Sequence, residues 1–111
     1  MAGYQAFDLS AVEKDQTSAG RGYQEFLRRP SVSMGLYILP AGGEDAQHPH
    51  DSDEVYVVQS GAARLQVEDE TFDVGPGSVV SVDRGRDHRF LDITENLVVL
   101  VVFAPPETPA T

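Results

Sequence analysis

The sequence predicts an all-β protein that folds as a sandwich or barrel. Short runs rich in β-branched and aromatic residues recur along the chain, and each ends at glycine, proline or a charged turn. The hydrophobic pattern contains no long amphipathic helix. The length of 111 residues fits one domain. We expect an N-terminal arm and polar loop over 1–22, a barrel over 23–104 and a flexible proline-rich tail over 105–111.

The predicted strands follow one another with brief turns between them. The first strand is Val32–Leu39, which ends at the breaker sequence Pro-Ala-Gly-Gly. The polar segment 10–22 is rich in small side chains and predicts a loop or a short helical turn. The later predicted strands cover 55–59, 62–67, 71–74, 78–82, 89–91 and 97–103.

The last run, 97–103, reads LVVLVVF and has no polar alternation. A strand that is apolar on both faces is either central in a two-layer structure or covered by a partner subunit. The second of these alternatives favours a homodimer.

Composition excludes several classes of partner. The chain carries 18 acidic against 8 basic residues and a net charge of −10, so we expect no binding to nucleic acid, which requires a basic face. The same charge disfavours an anionic membrane surface. The N-terminus lacks the basic and apolar segments of a signal peptide, and no apolar run is long enough to span a bilayer. The sequence therefore predicts a cytoplasmic protein.

Metal-type side chains are concentrated near the middle of the chain. His48 and His50 flank one proline, so in an extended segment both imidazoles point to the same side. Glu54 opens the next β-rich run, and His88 begins a short strand further along. Taken singly, each residue is also explained as a polar surface residue. Because the chain has no cysteine, any metal must be held by nitrogen and oxygen ligands.

Taken together, these residues form a recognisable pattern. The stretch 42–61 reads G-x5-H-x-H-x3-E-x6-G and resembles the first motif of the cupin family. The stretch 77–92 is similar to the second cupin motif, although Asp83 replaces its proline and Asp92 its asparagine. The resemblance implies a single-domain cupin jelly-roll β-barrel. It also implies a divalent metal (Fe, Mn, Ni, Zn, Co or Cu) bound by His48, His50, Glu54 and His88.

Three aromatic residues are candidates for the wall of a substrate pocket. Tyr56 shares a strand face with Glu54, and Phe90 shares one with His88. Tyr37 lies on the first predicted strand. Ordinary packing in the core explains each of these residues equally well. Arg64 is expected on the outer surface.

Two interpretations of function remain open at this point. In the first, the protein is an enzyme that binds a small chelating organic substrate at the metal, with dioxygenase-type oxidoreductase chemistry. Isomerisation and decarboxylation are further possibilities within this class. In the second, the protein binds or senses a metal or a small molecule without turnover. A complete ligand set favours the enzyme, but fold alone does not fix function.

Overall fold

The computed structural model describes residues 3–45 and 51–107. One helix, α1 (Leu9–Ala19), precedes six strands. The strands, in chain order, are β1 (Tyr23–Arg29), β2 (Val32–Leu39), β3 (Asp53–Val67), β4 (Glu70–Val74), β5 (Val79–Val82) and β6 (His88–Ala104).

All strand pairs are antiparallel and belong to one sheet. The strand order is β1-β2-β6-β3-β4, and β5 pairs with β3 beside this path. The run 97–103 therefore lies in a central strand, with β2 on one side and β3 on the other. This central position explains the inward residues of LVVLVVF, whereas Leu100 and Val102 on the outward face are only partly buried.

The two longest strands are longer than the sequence predicted. The expected breaks at Ser60-Gly61 and near Asp92 are bends within β3 and β6, which continue to pair across three irregularities in register. Gly61 has φ of 95°, and a Cβ at this position would lie 2.7 Å from the Leu97 Cα. Glycine is needed at this bend because the two backbones approach so closely.

The helix and the first strand were not predicted. We expected a loop or a short turn over 10–22, but α1 spans 11 residues and is capped by Asp8, which accepts a hydrogen bond from the Ser10 backbone at 2.9 Å. Gly20 ends it in the left-handed conformation. Gln16 is fully buried and donates a hydrogen bond to the Leu36 carbonyl on β2 at 3.0 Å. This contact with the sheet stabilises a helix whose own pattern is weakly amphipathic.

The first residues of the expected flexible tail are attached to the barrel. The Glu107 backbone N–H donates to the Ser33 hydroxyl at 3.0 Å, and its carbonyl accepts from Arg28 at 3.1 Å. Among residues 3–45 and 51–107, no helix has the length and apolar character needed to cross a bilayer.

Alternation along the strands fills the interior. Leu97, Val99, Val101 and Phe103 on β6 point inward and are buried. They pack with the inward residues of the neighbouring strands, which include Leu39, Tyr56, Val58, Leu65 and Phe90. This apolar set surrounds the few ionisable side chains that the fold also buries.

Candidate metal centre

Glu54 lies in the interior, near the start of β3. It pairs with Val82 on β5 and with Phe103 on β6, so β3 is a central strand at this point. The alternation of β3 turns Glu54, Tyr56 and Val58 to the inside, and Glu54 is only 2 % exposed. Burial of a carboxylate is costly without compensating partners.

His88 supplies the main partner. It is the first residue of β6, and its Nε2 lies 2.7 Å from the Glu54 Oε2. The Nδ1 of the same ring lies 2.8 Å from the Arg86 carbonyl oxygen. Because a carbonyl only accepts, this contact assigns the hydrogen to Nδ1 and leaves the Nε2 lone pair directed towards Glu54 when the ring is neutral.

The charge of Glu54 affects the pKa of His88. Burial of the imidazole by itself lowers the pKa of His88, but the hydrogen bonds to Glu54 and to the Arg86 carbonyl act in the opposite direction, together with the charges of Glu54 and Asp45. The net result is that the pKa of His88 is raised above its ordinary value. The pair therefore holds its proton more strongly than a free imidazole does, and a bound cation would compete with that proton.

The chemistry of this pair fits a divalent metal. Histidine ligands typically donate the second ring N–H to a carbonyl or carboxylate, as His88 does to Arg86. The Glu54 carboxylate lies 2.7 Å from the His88 Nε2, and both side chains are almost fully buried. His48 and His50, the other two expected ligands, lie outside the described residues. Within the ranges that the structure describes, no group of three or more His, Asp or Glu side chains converges as a metal site.

Asp45 is a buried carboxylate that sequence reasoning did not single out. Its Oδ2 accepts a hydrogen bond from the Phe90 backbone N–H at 2.9 Å, and its Oδ1 accepts from the Tyr37 hydroxyl at 3.3 Å. Asp45 is 7 % exposed. The only signal in the sequence was its position just before the histidine motif.

The segment that contains Asp45 runs along the free edge of β6. The Ala41 backbone donates to the Asn96 side chain at 2.9 Å, and the Gly42 backbone donates to the Ile93 carbonyl at 2.8 Å. Asp45 adds the third attachment, at Phe90. Residues 41–45 therefore run along β6 from Asn96 towards the end of the strand where His88 lies.

Aromatic side chains enclose the pair. Tyr56 is fully buried, lies 5.9 Å from the His88 ring and donates a hydrogen bond to Glu54 at 3.3 Å. Phe90 packs against Tyr56 with ring centroids 5.1 Å apart. Tyr37 lies on the same side of the interior, and its hydroxyl donates a hydrogen bond to Asp45. Tyr56 and Phe90 belong to the core cluster and Tyr37 packs against it, so a role in core packing applies to all three.

Tyr23, on the unpredicted strand β1, is a further polar side chain of this region. Its ring contacts Tyr37 at 5.6 Å and Phe103 at 6.2 Å. Its hydroxyl is buried without a hydrogen-bond partner among the described residues. Burial, followed by the charge of Glu107, raises the pKa of Tyr23, and burial, followed by Asp45, raises the pKa of Tyr37. Both hydroxyls therefore stay protonated at neutral pH.

A family model described as a cupin domain matches residues 35–103. The chain belongs to the cupin family. The resemblance stated from the two sequence motifs is thus confirmed, together with the all-β jelly-roll fold that it implied. The match begins on β2 and ends on β6, so it includes the segment of both motifs and excludes α1 and β1.

An uncharacterized protein of Streptomyces coelicolor, SCO3923, is 48% identical over 103 residues, which are 93% of this chain and 98% of that protein.

Solved structures share the fold at lower identity. TT1209 of Thermus thermophilus has a TM-score of 0.76 at 22% identity, covering 93% of this chain and 99% of its own. An RmlC-like cupin with a double-stranded β-helix fold from Methanocaldococcus jannaschii has a TM-score of 0.68 at 22% identity, with coverage of 75% and 78%. KdgF of a Halomonas species has a TM-score of 0.69 at 19% identity, covering 75% of this chain and 76% of KdgF. These three likenesses concern the fold alone.

Proposed function

We propose that this cupin is a metal-dependent enzyme of oxygenase type that acts on a small chelating organic substrate. The observation that supports the proposal is the 2.7 Å approach of the Glu54 carboxylate and the His88 imidazole inside the barrel. In the proposal, His48 and His50 complete a set of three imidazoles and one carboxylate around one divalent ion. Such a set suits Fe, Mn, Ni, Zn, Co or Cu and leaves coordination positions open.

A divalent metal bound by these residues would act as a Lewis acid and as a template that orients the substrate. The protein's own side chains supply the surroundings. The hydrogen bond from His88 to the Arg86 carbonyl holds the ring in the tautomer that can ligate. Tyr56 and Phe90 form an apolar wall that excludes water, while Tyr37 offers a hydroxyl that stays protonated.

Metal content tests the ligand set directly. Changing His50 to Ala should remove most of the bound metal and lower the melting temperature, because metal binding is coupled to folding. Elemental analysis and thermal unfolding of the purified protein measure both effects. Gln59→Ala, at an exposed position of β3, is the matched control and should keep its metal. Full metal occupancy in the His50 variant would contradict the assignment.

Oxygen uptake tests turnover. The Fe(II)-loaded protein is incubated with small diketones, catechols, thiols and hydroxy acids, and oxygen consumption is recorded with an electrode. We expect uptake with at least one of these classes. If metal is bound and no compound supports uptake, the result favours the alternative function, a cupin that binds or senses a small molecule or a metal without turnover.

A homodimer also stays a prediction. The outward face of the central strands is apolar: Val102 and Leu100 on β6 lie opposite Val55 and Val57 on β3. The register continues this face to Val79 on β5, which is 66% exposed. A second copy would cover this surface. Light scattering after size exclusion measures the mass, and Val79→Asp should shift a dimer towards the monomer.

A further inference from the structure

Among the described residues, the buried ionisable side chains are two carboxylates and one imidazole. Asp45 and Glu54 are buried carboxylates, and the charge of Glu107 acts on Tyr23 and Tyr37 from the tail. The Tyr23 hydroxyl is a buried polar group with no hydrogen-bond partner among the described residues. The polar side of the interior therefore offers carboxylates and hydroxyls to a ligand.

Cationic side chains are confined to the surface. The chain has eight Lys and Arg residues, and all eight lie in the described ranges and are exposed. Several are engaged by surface carboxylates: Arg64 lies 3.5 Å from Asp73, and Arg84 lies 3.7 Å from Asp53. Residues 46–50 and 108–111 contain no Lys or Arg. No lysine or arginine side chain is therefore buried where it could bind an anionic substrate.

The cleft beside His88 is also lined by more acidic than basic side chains. It has a volume of about 330 Å³ and is lined by Gln66, Glu68, Asp69, Asp87, Arg89 and His88. Three carboxylates thus face one guanidinium, and Arg86 lies 3.5 Å from Glu68. A negatively charged ligand that approaches from this cleft is repelled, whereas a positively charged one is attracted.

Charge balance around the proposed metal leads to the same class of ligand. A divalent cation is neutralised by Glu54 and Asp45 together, so no positive charge is left over for a second carboxylate on the substrate. A buried charge without an opposite partner is strongly disfavoured in a low-dielectric interior. A ligand whose metal-binding end is anionic and whose other end is cationic leaves the site balanced.

We propose that the ligand of this site is a small bifunctional molecule that binds the metal through one end and carries a protonated amine at the other. Asp45 binds the amine, and the Tyr23 and Tyr37 hydroxyls lie on the same side of the interior. Asp45 is bonded to Phe90, which is two residues from His88 on β6, so its carboxylate lies roughly 7 Å further along the strand. This inference rests on the proposed metal site.

Three hydroxamates of matched size test the charge preference. 3-Aminopropanohydroxamate, 3-hydroxypropanohydroxamate and succinic monohydroxamate share one chelating group and a two-carbon spacer, and their tails end in an ammonium, a hydroxyl and a carboxylate group. Each is titrated into the Co(II)-loaded protein, and the cobalt visible spectrum reports binding. We expect the amine to bind roughly tenfold more tightly than the alcohol, and the carboxylate roughly tenfold more weakly than the alcohol. A carboxylate probe that binds as tightly as the amine overturns the proposal.

The variant Asp45→Asn tests whether Asp45 causes the tighter binding of the amine probe. Asparagine keeps the acceptor for the Phe90 N–H and removes the charge, so the advantage of the amine should fall to within roughly threefold. Asp73→Asn is the matched control, because the Asp73 side chain is 92% exposed, and it should keep the wild-type ranking. An unchanged preference in the Asp45 variant overturns the role of Asp45. If that variant does not fold, the ranking in the wild-type protein still decides the proposal.

Failure of the metal site is seen separately, in the cobalt spectrum before any probe is added. If no cobalt binds, the proposed function fails, and the charge preference is then measured in the metal-free protein. Butylammonium should shift the NMR signal of the Phe90 amide, whereas butyrate should leave it unchanged. Equal responses to the two ions would overturn the inference about charge.

Discussion

Two sets of buried side chains share the interior, and they depend on the fold in different ways. The apolar set includes Leu65, Leu97 and Val99, each fully buried. The ionisable pair is Glu54 and His88, which are equally inaccessible but joined by one 2.7 Å contact. Burial alone stabilises the apolar set, whereas burial of the pair costs free energy that hydrogen bonds and a proton or a cation between the two groups must offset. Changes in the first set should act on stability, and changes in the second on metal binding.

The largest effect on stability is expected at the centre of the apolar set. Leu65→Ala should lower the free energy of unfolding by about 3 kcal/mol, because a fully buried leucine leaves a cavity. Urea unfolding of the metal-free protein measures this loss. Glu95→Ala, at an exposed position of β6, should change stability by less than about 0.5 kcal/mol. Similar losses in the two variants would show that the interior is not packed as described.

A substitution in the ionisable pair should weaken metal binding strongly and change stability little. Glu54→Gln should weaken metal binding by roughly 100-fold or more, since a charged ligand becomes a neutral amide. At a pH high enough for His88 to be neutral, the amide can still donate to the ring, so the metal-free protein should lose less than about 1 kcal/mol. Competition with a chelator and urea unfolding give the two values, and Glu95→Gln at an exposed position of β6 is the control. Unchanged metal affinity would remove Glu54 from the site.

The pH dependence sharpens the comparison further. The pKa of His88 is raised in the folded metal-free protein, so the pair contributes stability that is fully present below the unfolded pKa of about 6.5 and is lost as pH rises through the raised value. Metal affinity should change in the opposite direction and increase as the proton leaves. Urea unfolding at a series of pH values, with Glu54→Gln as reference, measures the first trend. If the free energy of unfolding of the wild type and that of Glu54→Gln changed equally with pH, the predicted contribution of the pair would be contradicted.

Exposed charges outside both sets should matter least. The Arg64 guanidinium lies 3.5 Å from Asp73 and 3.9 Å from Asp92, but all three side chains are open to water. Arg64→Ala should therefore change the free energy of unfolding by no more than about 1 kcal/mol and leave metal content unchanged. A larger loss, measured by urea unfolding, would mean that this surface network contributes as much as a buried contact.

The sequence predicted most strands because their apolar runs end at strong turn residues. Val32–Leu39 has the bounds that were expected, since Arg29-Pro30 and Pro40 limit it on both sides. The strand Tyr23–Arg29 was missed because its apolar residues alternate irregularly with Glu and Arg and it contains a bulge. The helix was missed because its segment is polar and a tertiary contact, the hydrogen bond from Gln16 to the Leu36 carbonyl, anchors it to the sheet.

By itself, the sequence determined the family and the side chains that could bind a metal, because histidine and glutamate spacing within two motifs is a local property of the chain. Only the tertiary structure decided that Glu54 and His88 meet, because β3 and β6 must bend and close before their ends approach. The same closure placed Asp45 beside Tyr37 and left all the basic residues outside. Which charges share a low-dielectric interior depends on long-range packing, and no local pattern encodes it.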